Sequence, residues 1–418
     1  MIFKFFGGAQ EVGRSAIMLK DERSLMLDFG VKIEKKMEYP ASIPRVDGMI
    51  LSHAHLDHSG FTPGMYSEEH PPIFGTLPTL RLSNLLLDDA LSIAKKNHTN
   101  PRFHKQQVKA MIDKFIALDY GHTAHLGNFD ITLYDAGHIC GSSITLVERA
   151  KAKSHKRIVY TGDFKLEPQL LHNGAEIVKS DILITESTYA EKEHMDKRKT
   201  TKEFIEQVNE TLDNGGNVLL PVFAVGRSQE ILTLLHKNGL ASSTYIDGMA
   251  KEATSIVSNF PKFISNHEEL AKAIREVNWI SEHSERKGVL DEPSIILTTS
   301  GMLTGGPVLN YIGRLNKNSS ILLTGFQQEG TNGRTLIEKG YVTMEGQKKK
   351  IDTPVTLYDF SAHAGKSDLY EYVRKSSPSV VICVHGDKEN AKSMAESLRL
   401  EGYEAYAPKI GDTIKIGE

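Results

Sequence analysis

Short apolar runs punctuate the chain, and most of them end in an acidic residue or a histidine. Leu25 to Leu27 leads to Asp28, Met49 to Leu51 to Ser52 and His53, and Ile131 to Tyr134 through Asp135 and Gly137 to His138. Ile158 to Tyr160 reaches Asp163, and Ile182 to Ile184 reaches Glu186. Far downstream, Val355 to Tyr358 leads to His363, and Val380 to Val384 delivers His385. Runs this short, bounded by turn residues, predict buried strands. One acid or histidine after a strand is usually a turn or cap residue. Seven strand ends of this kind predict a catalytic rim, because loops past strand ends build the sites of open α/β sheets.

Helical patterns lie between the strands. Leu77 to Lys96 repeats apolar residues near every 3.6 positions and has Pro78 in its first turn, and Asp387 to Leu398 starts on a capping aspartate. In the middle of the chain the pattern changes to strand, glycine loop and helix in succession. Asn217 to Phe223 is followed by the loop Val225 to Glu230, Ser294 to Thr298 by Ser300 and Gly301, and Ser320 to Thr324 by Gly325 to Gln328. This predicts a doubly wound parallel sheet inserted into the first domain, since candidate ligands or acids stand on both sides of it. The expected division is 1–190 and 351–418 for the outer domain and 191–350 for the insert.

Composition narrows the class. The 418 residues are too many for one ordinary domain; 39% are hydrophobic and 25% charged, as in a globular protein with large cores. No apolar span of membrane length occurs, and the opening MIFKFF is too short for a signal sequence, so a cytoplasmic protein with no membrane partner is expected. Two cysteines, Cys140 and Cys383, exclude a disulfide scaffold or a thiolate cage. The formal charge of −3 gives no global nucleic-acid footprint, and the basic runs Arg149, Lys151, Lys153, Lys156, Arg157 and Lys348 to Lys350 read as solvated loops. Three familiar motifs are absent: no Gly-x-Gly-x-x-Gly, no serine-centred Gly-x-Ser-x-Gly, and no first glycine before Gly365, Lys366 and Ser367, where Phe360 stands instead.

The chemistry concentrates at His53, His55, Asp57 and His58, four metal-competent groups directly after an apolar run. A lone His-x-His is weak evidence, because surface histidines carry no cost. With an aspartate and a third histidine in register the pattern predicts a two-metal site. His53 and His55, two apart in extended backbone, point the same way and grip one ion; Asp57 and His58 lie past the turn and face a second.

His53 to His58 together with Asp28, His138 and Asp163 resemble the metallo-β-lactamase fold, an αββα sandwich. Glu186, His363 and His385 around an inserted α/β domain resemble the β-CASP branch of nucleic-acid nucleases, as do Pro221 to Glu230, Ser300 to Leu303 and Gly330 to Arg334. The wording His53 to Gly60 is similar to the endonuclease of the cleavage and polyadenylation specificity factor and its prokaryotic relatives. A first strand at residue 2 leads to the expectation of a form without the KH modules that archaeal members often carry. A histidine at position 385 favours RNA over DNA, since DNA-processing members usually lack it.

The resemblance implies a two-metal ribonuclease acting on single-stranded RNA, with internal cutting and 3′-hydroxyl and 5′-phosphate ends. His53, His55 and His138 with Asp163 would hold one cation, and Asp57, His58 and His385 with Asp163 the other. Imidazole and carboxylate ligands suit two zinc ions best, and the same donors also suit manganese. His363 would be the general acid, oriented by Glu186, and Asp28 would position a ligand. The bland readings are a loop hydrogen bond for His363, a helix cap for Glu186 and a turn for Asp28. Arg227, Ser300 and Arg334 are candidates for substrate phosphates, against the alternative that the arginines pair within their own domain. A homodimer and an RNA-processing complex are the partners implied. Rival functions are 5′-to-3′ exonuclease action of the RNase J type, a glyoxalase-like thioesterase on the same fold, and an RNA-binding subunit that does not cut.

Overall fold

The structure, a computed structural model, describes residues 1–33, 37–68, 70–149 and 156–417. Lys151 and Lys153 of the first basic run lie outside the described residues. The chain forms two compact units: Met1–Pro168 with Asn173–Glu193 and His363–Glu418, and Gln169–His172 with His194–Ala362.

The first unit contains two seven-stranded sheets. In one, the order is Thr413–Lys415, Ile2–Gly7, Ala16–Lys20, Ser24–Leu27, Gly48–Ile50, Ile73–Gly75 and Phe115–Ala117. In the other it is Glu404–Tyr406, Val380–Val384, Ile182–Glu186, Arg157–Tyr160, Ser143–Arg149, Phe129–Asp135 and Thr123–Leu126. Phe3, Phe5, Ile17, Leu19 and Leu25 of the first sheet share one buried core with Ile131, Leu133, Ile158, Ile182 and Ile382 of the second. The alternate residues Met18, Met26 and Met49 join a core with Leu80, Leu87, Val108 and Met111, which come from the helices Leu77–Lys96 and Lys105–Asp113. On the far side, Val159, Leu183 and Val381 pack with Leu369, Val373, Met394 and Leu398 from the helices Lys366–Ser376 and Lys388–Leu400. Each sheet is therefore buried on both faces, which is why its strands read as near-continuous apolar runs. The result is an αββα sandwich.

Parallel pairing places the polar strand ends. Ser24–Leu27 runs parallel to Gly48–Ile50, and Arg157–Tyr160, Ile182–Glu186 and Val380–Val384 run parallel to one another. Their carboxyl ends emerge on the same edge of their own sheet, carrying Asp28 and His53 in one case and Asp163, Glu186 and His385 in the other.

The second unit is a six-stranded, all-parallel sheet in the order Asn278–Trp279, Thr244–Asp247, Ile295–Thr298, Val218–Pro221, Ser320–Leu323 and Val355–Leu357. It is doubly wound, with helices such as Arg227–Lys237, Ala250–Ser258 and His267–Glu276 in the crossovers. Two sequence readings change here. Val355–Leu357 pairs with Ile321–Leu323 as the edge of this sheet, so the chain returns to the first unit at His363 rather than at 351. Lys348 to Lys350, read as a loop, are exposed but belong to the strand Gln347–Lys350, paired with Tyr341–Met344. Glu345 and Gly346 at φ 50° and 78° make the two-residue turn that closes this hairpin.

No helix among the described residues is long and apolar enough to cross a membrane.

Candidate metal centre

The strand Gly48–Ile50 ends at Leu51 to His53, all buried, and the backbone then turns at His55 (φ −57°, ψ 145°) into a one-turn helix, Leu56–Ser59. That turn separates the two pairs of candidate ligands. Ahead of it His53 and His55 meet His138; on the helix Asp57 and His58 meet Asp163 and His385. The helix is fastened from outside by main-chain bonds: Ser15 N–H to Asp57 O (2.8 Å), Phe29 N–H to His58 O (2.9 Å) and Val31 N–H to Leu56 O (2.9 Å). Gly30 lies so close that a Cβ there would sit 1.8 Å from the Asp57 carbonyl oxygen.

Asp163 stands at the centre. Its Oδ1 lies 3.1 Å from His385 Nδ1 and 3.3 Å from His58 Nε2, while its Oδ2 lies 3.6 Å from His53 Nε2. His138 Nε2 is 3.1 Å from His55 Nδ1, and His58 Nε2 is 3.3 Å from His385 Nε2, with Asp57 Oδ2 3.4 Å from that same nitrogen. Ring nitrogens facing one another across such gaps share either a proton or a cation. Among the described residues, the buried His53 Nε2 and Asp163 Oδ1 have no hydrogen-bond partner. A cation would satisfy both, and the imidazole and carboxylate donors suit one.

Electrostatics carry the same demand. Burial would push His58 down, but the charges of Asp163 and Asp28 outweigh it and hold the imidazole well above its usual range. Burial likewise opposes the charge on His385, yet Asp163 and Asp57 hold it up at about 10. His53, by contrast, is pushed well down, by burial first and by the neighbouring His58 second. Although burial favours their neutral forms, Asp57 and Asp163 are held below the ordinary carboxylate range, chiefly through His385 and His58. Protons here do what a cation would do: they neutralise two buried carboxylates.

A further layer holds these groups. Asp28, fully buried at φ 56°, accepts hydrogen bonds from Ser52 N–H (2.7 Å), the Ser52 hydroxyl (2.6 Å), His58 Nδ1 (2.7 Å) and the Tyr160 hydroxyl (2.7 Å). Glu186 accepts from Phe164 N–H (2.9 Å) and faces His363 Nδ1 at 3.1 and 3.3 Å. Burial pushes His363 down, but the charges of Glu186 and Asp163 raise it above its ordinary value. His385 is also left-handed (φ 46°), and its carbonyl accepts from the Thr188 hydroxyl (2.9 Å). Two buried side chains held in this sparsely populated region at one centre are a common sign of a functional site.

The Metallo-beta-lactamase superfamily domain matches residues 17–191, the Beta-Casp domain 228–336, and the Zn-dependent metallo-hydrolase RNA specificity domain 350–408. The protein named "Probable RNase MJ4" from Methanocaldococcus jannaschii is 37% identical, over 99% of both chains. The chain belongs to the β-CASP ribonucleases of the metallo-β-lactamase fold. "RNase aCSPSF2" from Saccharolobus solfataricus is 33% identical over 99% of this chain and 85% of its own. "Transcription termination factor FttA" from M. jannaschii is 34% identical over 99% of this chain and 71% of its own. A crystal structure of a protein of unknown function from Enterococcus faecalis shares the fold, with a TM-score of 0.62 at 15% identity and 99% coverage of both chains.

This β-CASP ribonuclease is a hydrolytic nuclease with a metal site, and RNA is its substrate or partner. Its first unit gathers His53, His55, Asp57, His58, His138, Asp163 and His385 into one cluster and sets Asp28, Glu186 and His363 against it. The three candidates for substrate phosphates lie in the second unit. Arg227 opens the helix Arg227–Lys237, Arg334 pairs with Glu338 at 2.6 Å on an exposed helix face, and the buried Ser300 hydroxyl has no hydrogen-bond partner among the described residues. Sequence reasoning missed Ser52, Tyr160 and Thr188. Ser52 had a signal, a polar residue between an apolar run and the first histidine; Tyr160 had none, because it reads as one more strand residue.

Proposed function

We propose that this ribonuclease cuts RNA internally, at single-stranded positions, and leaves 3′-hydroxyl and 5′-phosphate ends, using two zinc ions. The observation that carries the reading is the division of Asp163, whose two oxygens face separate sets of candidate ligands. His53, His55 and His138 with Asp163 Oδ2 would hold one ion, and Asp57, His58 and His385 with Asp163 Oδ1 the other. Ions so held would supply Lewis acidity, promoting deprotonation of water and neutralising charge on the phosphodiester.

The remaining work falls to the chain's own residues. Glu186 accepts the Nδ1 proton of His363, which fixes the ring and leaves Nε2 as the donor. His363, raised by Glu186 and Asp163, would retain a proton for the leaving 3′-oxygen. Protonation of that oxygen gives a 3′-hydroxyl and keeps the phosphate on the 5′ side. The names of the RNases from M. jannaschii and S. solfataricus support RNA as the substrate.

RNA labelled at either end, incubated with and without chelator and resolved by length over time, tests the proposal. Internal fragments first, abolished by chelator, are expected. Mononucleotides released first from the 5′ end would overturn the internal mode. Inert RNA together with hydrolysis of a small thioester would overturn the substrate class.

A further inference from the structure

Asp28 touches one candidate ligand directly and another through a single intermediate, and that intermediate is Ser52. The Ser52 hydroxyl has one proton, and it goes to Asp28 Oδ2 at 2.6 Å. Ser52 Oγ itself lies 3.1 Å from His53 Nδ1. With its proton already spent, Ser52 can only accept there, so His53 must carry its proton on Nδ1 and present Nε2 with a free lone pair. That Nε2 is buried, has no hydrogen-bond partner among the described residues, and lies 3.6 Å from Asp163 Oδ2. On the other side Asp28 Oδ2 accepts directly from His58 Nδ1 at 2.7 Å, which frees His58 Nε2 toward Asp163 Oδ1, 3.3 Å away.

We propose that Ser52 is a positioning residue, and that through it the single carboxylate of Asp28 fixes the tautomer of one histidine in each ligand set. The arrangement rests on the two-cation reading above. Its components are well fixed: Asp28, Ser52, His53 and His58 are all buried. Ser52 is also held from the main chain, by its N–H on Asp28 Oδ1 and by Ser143 N–H on its carbonyl, both in the 2.7–2.8 Å range. The backbone of Gly162 closes over it: a Cβ there would come within 2.7 Å of the Ser52 Cβ. The hydroxyl therefore has little freedom to serve any other partner.

Zinc titration of the metal-free protein, with cobalt absorption to distinguish the two sets, tests the relay. Ser52→Ala is expected to weaken the set containing His53 roughly 10- to 100-fold and leave the set containing His58 within about threefold. Asp28→Asn is expected to weaken both, and adding Ser52→Ala to it should cost the first set little more, because the relay is already cut. Equal losses at both sets in Ser52→Ala, or no loss at either, would overturn the proposal. Should Ser52→Ala fail to fold, ring-nitrogen NMR of the unmutated protein loaded with zinc decides: a proton on His53 Nδ1 supports the relay, and one on Nε2 overturns it. The underlying reading fails separately, if the unmutated protein takes up only one ion.

Discussion

Gly30→Ala is the substitution whose effect on the metal centre can be worked most directly from distances. A Cβ at position 30 would lie 1.8 Å from Asp57 O, 2.1 Å from its carbonyl carbon and 2.6 Å from His58 N. All three are backbone atoms, so no side-chain rotation relieves the overlap. Restoring even 3.0 Å from 1.8 Å takes a shift of about 1.2 Å, several times the tolerance of roughly 0.2 Å in metal-ligand distances. Moving residue 30 instead breaks the bonds from Phe29 N–H and Val31 N–H to the same turn, each 2.9 Å long, and disturbs Asp28 two residues away. Overpacking of this kind costs about 1–3 kcal/mol or more in stability. We expect the metal-free variant to melt several degrees lower. We also expect its zinc affinity at the set built on Asp57 and His58 to fall by at least ~100-fold, with the set built on His53, His55 and His138 less affected. Calorimetric zinc titration, with a thermal melt of the same preparation, measures both. Unchanged affinity at both sets would refute the claim that this turn places Asp57 and His58.

The remaining expectations concern the proton donor and one carboxylate away from the centre. His363→Ala should keep its zinc content while losing roughly 10²- to 10⁴-fold in RNA cleavage, the range ascribed to a general acid; cleavage at the parent rate would rule out that role. Glu186→Gln retains an acceptor for Phe164 N–H but removes the charge beside His363, so we expect a smaller loss of roughly tenfold, with metal content again unchanged; loss of metal would show that Glu186 acts elsewhere. Burial, with the charge of Glu176, pushes the Asp135 carboxyl up to about 6. A raised acid destabilises the fold above its ordinary value, by an amount that grows until the pH passes the folded value. Asp135→Asn should therefore gain on the order of 1–2 kcal/mol at about pH 7 and little at about pH 4, as read from denaturant melts. An equal effect at both would remove the electrostatic explanation.

The parts of this molecule that were legible in the sequence are those that repeat or terminate something. Buried strands announce themselves as apolar runs, and the helix Leu77–Lys96 follows its 3.6-residue repeat from end to end. Asp28, Asp163, Glu186 and His385 were conspicuous because each interrupts an apolar run, and the structure sets them around His53, His55 and His58. What could not be read is which sheet a run joins. Val355–Leu357 has the composition of any short strand, and only its pairing with Ile321–Leu323 assigns it to the second unit. Lys348 to Lys350 offered no alternation at all, since three identical exposed residues carry no period; the buried Val342 on the facing strand is what fixes the hairpin. The left-handed backbone of Asp28 and His385 was equally hidden, because both residue types also occupy ordinary conformations. Tyr160 illustrates the same limit in the site: its strand was readable, but its hydroxyl's partner lies 132 residues earlier.

The central claim is that Asp163 serves two sets of ligands at once. Its most direct test is the zinc content per chain of the unmutated protein and of Asp163→Ala after dialysis, measured by elemental mass spectrometry beside an RNA cleavage assay. The account predicts two ions and active cleavage for the former, and at most one ion with no detectable cleavage for the latter. An Asp163→Ala protein that keeps two ions and cuts RNA would contradict it.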